Sequence, residues 1–394
     1  MPYSPGMSVL EDVYDGMCEF DDLLISYRNA RKGKRYKRQV LAFTDNLESE
    51  IISIRNDLKD ESYKMGPYHL FYVHEPKTRL VMSIQFRDRV MQWSIYRRLN
   101  PFYDKIFIED SYACRKGKGS HLAADKLQYW LRQVSRREIE DPEVKYYYLK
   151  IDVSKYFYRI SHEILIRILR VRIHDERLLN LLVKIINSDT QKFGLPMGCS
   201  PDGCDYDDWL YDVGMPIGNI TSQVFANVYL NELDQFCKHA LGIHFYIRYM
   251  DDVIILSDSK EQLNIWKEEI SKFLSEALEL QLNKKTAIRP VTLGVEFVGY
   301  KMFPEYRKLK KSTSKRIIKK FKVLCYQLAQ GEITREELDR HVASYNGMLE
   351  HCSSHGLRNK LNRIYIHFCV NKQPWPFTEP QPTKHKRGKS VDKP

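Results

Sequence analysis

Tyr246-Ile-Arg-Tyr-Met-Asp-Asp-Val-Ile-Ile-Leu-Ser257 is the stretch from which the fold of this chain is predicted. Two arms rich in β-branched and aromatic residues flank a Tyr-Met-Asp-Asp turn, which is the pattern of a β-hairpin. Its tip carries two adjacent carboxylates, Asp251 and Asp252, and only one of them can point squarely at a shared site, because neighbouring strand residues face opposite sides. Asp is a common turn residue, so the pair alone would favour a solvated turn. A hard divalent cation would relieve the repulsion between the two carboxylates.

Composition and charge favour a nucleic-acid partner. The chain has 394 residues, enough for two or three packed units, and 43% of them are hydrophobic. Lys and Arg number 63 against 51 Asp and Glu, and this excess favours a polyanion, either nucleic acid or an acidic membrane. No apolar run approaches the ~18 residues of a membrane span, and the N-terminus lacks a signal-peptide pattern, so we expect no membrane contact. The 8 cysteines form no Cys-x-x-Cys pair, which predicts reduced thiols in a cytoplasmic protein.

Two basic segments precede the predicted strand that ends near Asp152. Arg31–Arg38 is a run of cations around Tyr36, which suits either a solvated helix end or contacts with a phosphate backbone and a stacked base. Lys77 and Arg79 lie in a turn between two short predicted strands. They are either ordinary turn charges or a pair that holds a triphosphate.

A third candidate carboxylate follows a predicted strand. The β-prone run Tyr146–Val153 delivers Asp152 just before a helix that begins near His162. This order places Asp152 at an accessible edge, although an Asp at such a place is also a common helix cap.

Residues 188–213 are rich in Asp and Gly, and we interpret them as a solvated insertion without a metal site. Gly214–Gln223 is a loop that leads into a helix through Asp234. A similar hexapeptide, Gly194–Cys199, leads into the acidic stretch instead, so its similarity is interpreted as incidental. Beyond the hairpin the pattern predicts strands at 282–288 and 295–300, then helices from about 310 to 368.

Taken in order, these segments resemble the reverse transcriptases over roughly residues 30–370. Asp152 matches the aspartate of the family's first catalytic motif, and Pro216-x-Gly218 matches its glycine loop. Tyr249-Met-Asp-Asp252 matches the hairpin motif that carries the other two carboxylates. Residues 282–288 match the lysine-containing motif that follows, and Phe297-Val-Gly299 matches the primer-grip region. The resemblance implies the α+β fold of a right-hand polymerase. It divides the chain into fingers at 1–145, a palm at 146–304 with an inserted acidic loop at 188–213, a helical thumb at 305–370, and a flexible basic, Pro-rich tail at 371–394.

The resemblance also implies an RNA-directed DNA polymerase that works with two Mg²⁺ ions, or with Mn²⁺. Its partners would be an RNA template, a primer or cDNA strand, dNTPs, and a small basic accessory protein. The implied metal ligands are Asp152, Val153, Asp251 and Asp252. The implied catalytic residues are Asp152, Asp251, Asp252 and Lys285, the last as an acid for the pyrophosphate leaving group. The implied nucleotide-binding residues are Lys77 and Arg79 for the triphosphate, Phe157 as a steric gate under the sugar, and Ile217, Gly218 and Gln223.

One departure points to a subclass. Most reverse transcriptases carry Gln where this chain has Ile217, and Ile217-Gly-Asn-Ile-Thr-Ser-Gln223 resembles the signature of diversity-generating retroelement enzymes. That family copies a template RNA into cDNA with errors concentrated at adenines. The stretch after residue 370 resembles neither a maturase nor an HNH segment, which disfavours a complete group II intron protein. The alternatives are a retron-like or antiphage-defence reverse transcriptase, and an inactive RNA-binding scaffold.

Overall fold

The computed structural model describes residues 8–74, 78–188 and 191–369, and in them helices are combined with small antiparallel sheets. The strands are β1 (His69–Val73), β2 (Arg79–Ser83), β3 (Tyr147–Asp152), β4 (Tyr246–Tyr249), β5 (Asp252–Ser257), β6 (Ala287–Pro290), β7 (Val295–Phe297), β8 (Tyr300–Met302) and β9 (Arg307–Leu309). The helices are α1 (Tyr14–Cys18), α2 (Phe20–Ala30), α3 (Arg38–Asp45), α4 (Leu47–Lys59), α5 (Phe86–Asp104), α6 (Ser120–Glu140), α7 (His162–Arg172), α8 (Glu176–Ile186), α9 (Ile220–Gln235), α10 (Lys260–Leu278), α11 (Lys311–Ala329), α12 (Arg335–Leu349) and α13 (His355–Phe368). The predicted α+β class is confirmed. The predicted tail and Lys77 lie outside the described residues.

The chain divides into two compact units. Of the described residues, those up to 123 together with those from 145 to 289 form the larger unit, and those from 124 to 144 together with those from 290 to 369 form the smaller. Within the described residues, no helix is both long and apolar enough to cross a membrane.

The larger unit is built around a four-stranded sheet with the order β4-β5-β3-β6. The predicted hairpin is present as β4 and β5, and β5 also pairs antiparallel with β3. Residues 253–256 of β5 are all buried, so both faces of this strand are covered, and α10 packs against β3 and β5. Helix α9 is buried on most of its surface, and its buried side chains include polar residues such as Asn227 and Asp234.

The predicted strand at 282–288 is shorter in the structure. β6 begins only at Ala287, because Asn283 forms a turn before it. The Asn283 side chain accepts a hydrogen bond from the backbone N–H of Lys285 at 3.0 Å, and its carbonyl accepts one from Thr286 at 2.9 Å. Asn side chains often compete with strand pairing in this way.

The acidic insertion is not wholly solvated, and this corrects its interpretation as a solvated loop. The Asp side chains between 202 and 212 are exposed, but Phe193, Leu195 and Trp209 are at most 2% exposed. Burial of these apolar side chains holds the segment against β2 and Tyr158.

The smaller unit contains the three-stranded antiparallel sheet β7-β8-β9 and helices α11 to α13. The predicted helical run from 310 to 368 is therefore confirmed, with two interruptions. Thr334 caps α12, since its hydroxyl accepts from the Glu337 N–H while the Glu337 carboxylate accepts from the Thr334 N–H.

Candidate active site

Three carboxylates meet at one end of the four-stranded sheet. Asp152, the last residue of β3, lies directly opposite Asp252, the first residue of β5. Asp251 is in the turn between β4 and β5, and its carbonyl accepts a hydrogen bond from the Val153 N–H at 3.4 Å. Antiparallel pairing thus joins a strand end and a turn that are far apart in the sequence.

Electrostatics at this cluster are unfavourable for the ionised form of Asp252. Burial raises the pKa of Asp252 to about 6, and repulsion from Asp251 and Asp152 adds to the rise, while Lys150 opposes it. The Lys150 Nζ donates to one Asp252 carboxylate oxygen at 3.1 Å and lies 2.9 Å from the other. Sequence analysis missed Lys150, although it could have been found. It lies two residues before Asp152 in the same strand and therefore shares its face.

The donor set suits a divalent cation. In the described part of the chain, no three His, Cys, Asp or Glu side chains form a ready-made metal cage. Mg²⁺ rarely needs one, because it commonly binds through one or two carboxylates and completes its shell with waters and substrate phosphates. The Asp252 Oδ1 atom is buried and, in the described part of the chain, accepts no well-aligned hydrogen bond, although the Lys150 ammonium lies 2.9 Å away. Val153 could contribute only its carbonyl, since its side chain is apolar and buried.

The predicted nucleotide-binding loop is tied to the segment that follows Asp152. The Met215 N–H donates to the Phe157 carbonyl at 2.7 Å, and the Met82 N–H of β2 donates to the Ile217 carbonyl at 3.1 Å. Gly218 has a φ of +126°, a conformation that favours glycine, and a Cβ there would also make a tight contact of 3.3 Å with the Val81 Cγ1 atom. Phe157, Ile217 and Gly218 therefore belong to one connected region.

The remaining predicted residues are more scattered. Gln223 is exposed in the first turn of α9, and Arg79 is exposed at the start of β2. Lys285 is exposed and precedes Thr286, whose hydroxyl accepts from the Asp152 N–H at 3.5 Å. The structure brings Lys285 near the Asp152 main chain.

A buried ion pair supports the hairpin turn, and sequence analysis missed it. Arg248 and Asp234 are both 0% exposed and form two hydrogen bonds, of 2.7 and 2.6 Å. Burial alone would lower the pKa of Arg248, but Asp234 raises it, so the guanidinium stays charged. The same guanidinium donates to the Asn227 amide oxygen and to the Met250 carbonyl, each at 3.2 Å.

This ion pair matters because Met250 is strained. Its φ of 53° lies in the left-handed region, which is unusual for a residue with a long side chain. Arg248 holds the Met250 carbonyl, and Asp234 anchors Arg248 to α9. Two sequence features could have indicated this support. Arg248 is a charged residue in the middle of an apolar strand, and Asn227 and Asp234 are seven residues apart on one face of a helix.

Comparisons with known proteins agree with this geometry. The sequence model of a family described as "Reverse transcriptase (RNA-dependent DNA polymerase)" matches residues 74–302. Protein YkfC of Escherichia coli (strain K12) is 25% identical over 294 residues, which cover 65% of this chain and 72% of YkfC. Group II intron-encoded protein LtrA of Lactococcus lactis subsp. cremoris is 22% identical over 364 residues, which cover 74% of this chain and 56% of LtrA. This chain thus spans little more than half the length of LtrA.

A solved structure, apo telomerase from Candida Tropicalis truncated from its C-terminal domain, is similar with a TM-score of 0.42 and 13% identity, over 62% of this chain and 55% of that chain. The family match confirms the predicted fold class, the α+β fold of a right-hand polymerase. The predicted bounds of fingers, palm and thumb stay predictions.

Proposed function

Because this chain belongs to the reverse transcriptase family, we propose that it is an RNA-directed DNA polymerase with its active site at Asp152, Asp251 and Asp252. The observation that supports this most directly is the pairing of the β3 end with the β4–β5 turn, which gathers three carboxylates. Two bound Mg²⁺ ions, or Mn²⁺, would stabilise the attacking and leaving oxygens of nucleotidyl transfer. Asp152, Asp251, Asp252 and the Val153 carbonyl would hold them.

The other residues have roles in binding and orientation under this proposal. Lys285 protonates the pyrophosphate leaving group, and Lys77 and Arg79 hold the incoming triphosphate. Phe157 lies under the sugar, and Ile217, Gly218 and Gln223 contribute to the pocket around the new base pair.

The nucleic-acid partners, RNA template and primer or cDNA, are supported by exposed cations. Most side chains of the run 31–38 are exposed, and Tyr36 is 78% exposed, which leaves its ring available for stacking. Burial lowers the pKa of Lys34, and the neighbouring cations Arg89 and Lys37 lower it further. A crowd of like charges of this kind is stabilised by phosphate groups.

Primer extension tests the proposed activity. The protein would be incubated with an RNA template, an annealed DNA primer, dNTPs and Mg²⁺, and extended products would be resolved by length. We expect template-dependent extension that stops when the metal is chelated. A folded protein that extends no primer on several RNA templates would contradict the proposal.

For the subclass, we propose a diversity-generating retroelement enzyme that is error-prone at template adenines. Its support is Ile217, whose side chain packs against an apolar cluster and cannot make the polar contact that Gln would make. A retron-like or antiphage-defence enzyme is the alternative, and an inactive RNA-binding scaffold is a further one. The small basic accessory protein and the cytoplasmic location belong to the same proposal.

The Ile217→Gln variant is expected to lower misincorporation opposite template adenine several-fold. The gain of one hydrogen bond is worth ~1 kcal/mol, which limits the change to about that size. Other template bases should be less affected, and overall extension should persist. Sequencing cDNA made by both proteins on one template measures this, with Ile217→Val as the apolar control. Equal adenine error rates would exclude a role for Ile217, and low adenine error in the wild type would favour the retron-like alternative.

The Lys150→Ala variant is expected to reach half-maximal extension at a lower Mg²⁺ concentration. Lys150 neutralises part of the Asp252 charge, so its removal leaves a more negative site. An effect of ~1 kcal/mol, the upper end of what solvent-exposed ion pairs contribute, corresponds to about fivefold in metal concentration. Rates measured across a Mg²⁺ titration give the midpoint. Lys145→Ala, an exposed change just before β3, is the control, and equal midpoints in all three proteins would reject this role.

A further inference from the structure

We propose that the packed insertion, residues 191–213, is a second wall of the nucleotide pocket, and that Trp209 is a positioning residue for nucleotide selection. The inference rests on the proposed polymerase function and names the part of the chain that shapes its substrate site. In this proposal Trp209 influences nucleotide selection indirectly, by holding Tyr158 and Ile217 in position.

Two similar glycine segments lie side by side in the structure. They are Gly194-Leu-Pro-Met-Gly198 in the insertion and Gly214-Met-Pro-Ile-Gly218 in the predicted nucleotide-binding loop. A Cβ at Gly194 would lie 2.5 Å from the Val213 carbonyl oxygen, and one at Gly214 would lie 2.5 Å from the Phe193 carbonyl oxygen. Only glycine permits backbones this close. The similarity that sequence analysis interpreted as incidental thus marks a direct backbone contact.

Both segments hold the same stretch of main chain next to Phe157. The Met215 N–H donates to the Phe157 carbonyl at 2.7 Å, and the Leu195 N–H donates to the Tyr158 carbonyl at 3.2 Å. The insertion therefore supports the residue adjacent to the predicted steric gate.

A shared apolar cluster links the insertion to Ile217. Phe193, Leu195 and Trp209 are buried together with Tyr158 and the β2 residues Leu80 and Met82, and Ile217 packs against this cluster. The Trp209 ring meets the Tyr158 ring edge to face, with centroids 5.7 Å apart and an interplanar angle of 89°. The Trp209 Nε1 atom is buried and has no hydrogen-bond partner among the described residues, so the indole is held mainly by packing there.

This arrangement lets the insertion influence nucleotide selection. Protein interiors are close-packed, so a loss of volume at Trp209 allows Tyr158 and Ile217 to shift. Small displacements of a pocket wall change how well a correct base pair is held relative to an incorrect one. The carboxylates rest on a different support, the sheet and the Arg248–Asp234 pair, so the effect should fall on selection more than on the chemical step.

The test is single-nucleotide incorporation on one RNA template, with kcat and KM measured for the correct dNTP and for each incorrect dNTP. Trp209→Leu is expected to change the ratio of correct to incorrect kcat/KM on the order of fivefold, mainly through the KM of the dNTP. Trp209→Phe should recover most of the wild-type ratio, since it keeps an aromatic ring against Tyr158. Tyr211 is in the same segment, but it is 49% exposed and is not part of the apolar cluster that forms the proposed wall. Tyr211→Leu is therefore the matched control and should leave the ratio unchanged.

A double variant strengthens the test. If Trp209 acts through Ile217, the effects of Trp209→Phe and Ile217→Val on the ratio should be non-additive. If Trp209→Leu does not fold, the double-mutant cycle of Trp209→Phe and Ile217→Val decides the question alone. Strictly additive effects in that cycle would overturn the inference. An equal loss of kcat for every dNTP, with the ratio unchanged, would reduce Trp209 to a structural role and also overturn it. A wild-type protein without any primer extension would instead overturn the proposed function.

Discussion

Replacing Asp152 or Asp251 with Asn is expected to reduce primer extension at least ~10³-fold, because each change removes a metal-binding carboxylate at the point where transition-state charge develops. The side chains are isosteric, so packing is preserved. Both carboxylates are only half-buried, and both raise the pKa of Asp252 by repulsion. Removing either charge should therefore leave the free energy of unfolding unchanged or slightly increased.

Extension rates and thermal unfolding of the same protein preparations test this expectation. Asp258→Asn is the matched control, because Asp258 is exposed just beyond the other end of β5. Its extension rate should equal that of the wild type. Extension within tenfold of the wild type by Asp152→Asn or Asp251→Asn would reject the assigned role, and loss of folding in either would show that the carboxylate is structural.

The Asp234→Ala variant is expected to lower the free energy of unfolding by about 3–5 kcal/mol, because it leaves the Arg248 guanidinium buried without its counter-charge. It also removes the acceptor of the Tyr246 hydroxyl, which donates to Asp234 at 2.7 Å. The control is Asp15→Ala. Asp15 pairs with Arg177 but is 78% exposed, so its loss should cost less than ~1 kcal/mol.

A double variant separates stability from positioning. Asp234→Leu combined with Arg248→Met replaces the ion pair by apolar groups and should recover much of the lost stability. It cannot restore the hydrogen bond to the Met250 carbonyl, so primer extension should stay reduced. Chemical denaturation and extension assays give the two quantities. A stable double variant with full activity would show that the Arg248 contact does not position the turn.

Much of the secondary structure could be predicted from local sequence patterns. The hairpin, the strand that ends in Asp152, the capped helix α12 and the helical run after Lys310 follow from residue type and spacing. Their signals are local, since alternation, capping and turn chemistry act over a few residues. The candidate site was predictable for the same reason, because Asp152 and Asp252 sit at strand ends that a motif identifies.

Other features had no local signal strong enough to decide them. The alternation of β3 puts Lys150 on the same face as Asp152, but only the antiparallel register places it beside Asp252. Gly194 and Gly214 read as loop glycines until their backbones are seen in contact. The insertion reads as solvated because its Asp residues dominate the composition, while Phe193, Leu195 and Trp209 are buried by partners elsewhere in the chain.

By itself, the sequence indicated the α+β class, the family and the candidate metal-binding carboxylates, because its short motifs follow one another in the order that resembles the reverse transcriptases. Only the tertiary structure decided what supports them: the Arg248–Asp234 pair under the turn, Lys150 at Asp252, and the packed insertion behind Ile217. The physical reason is that burial and pairing join residues distant in the chain. A charged or aromatic side chain has the same local sequence signature whether it is solvated or buried against a partner.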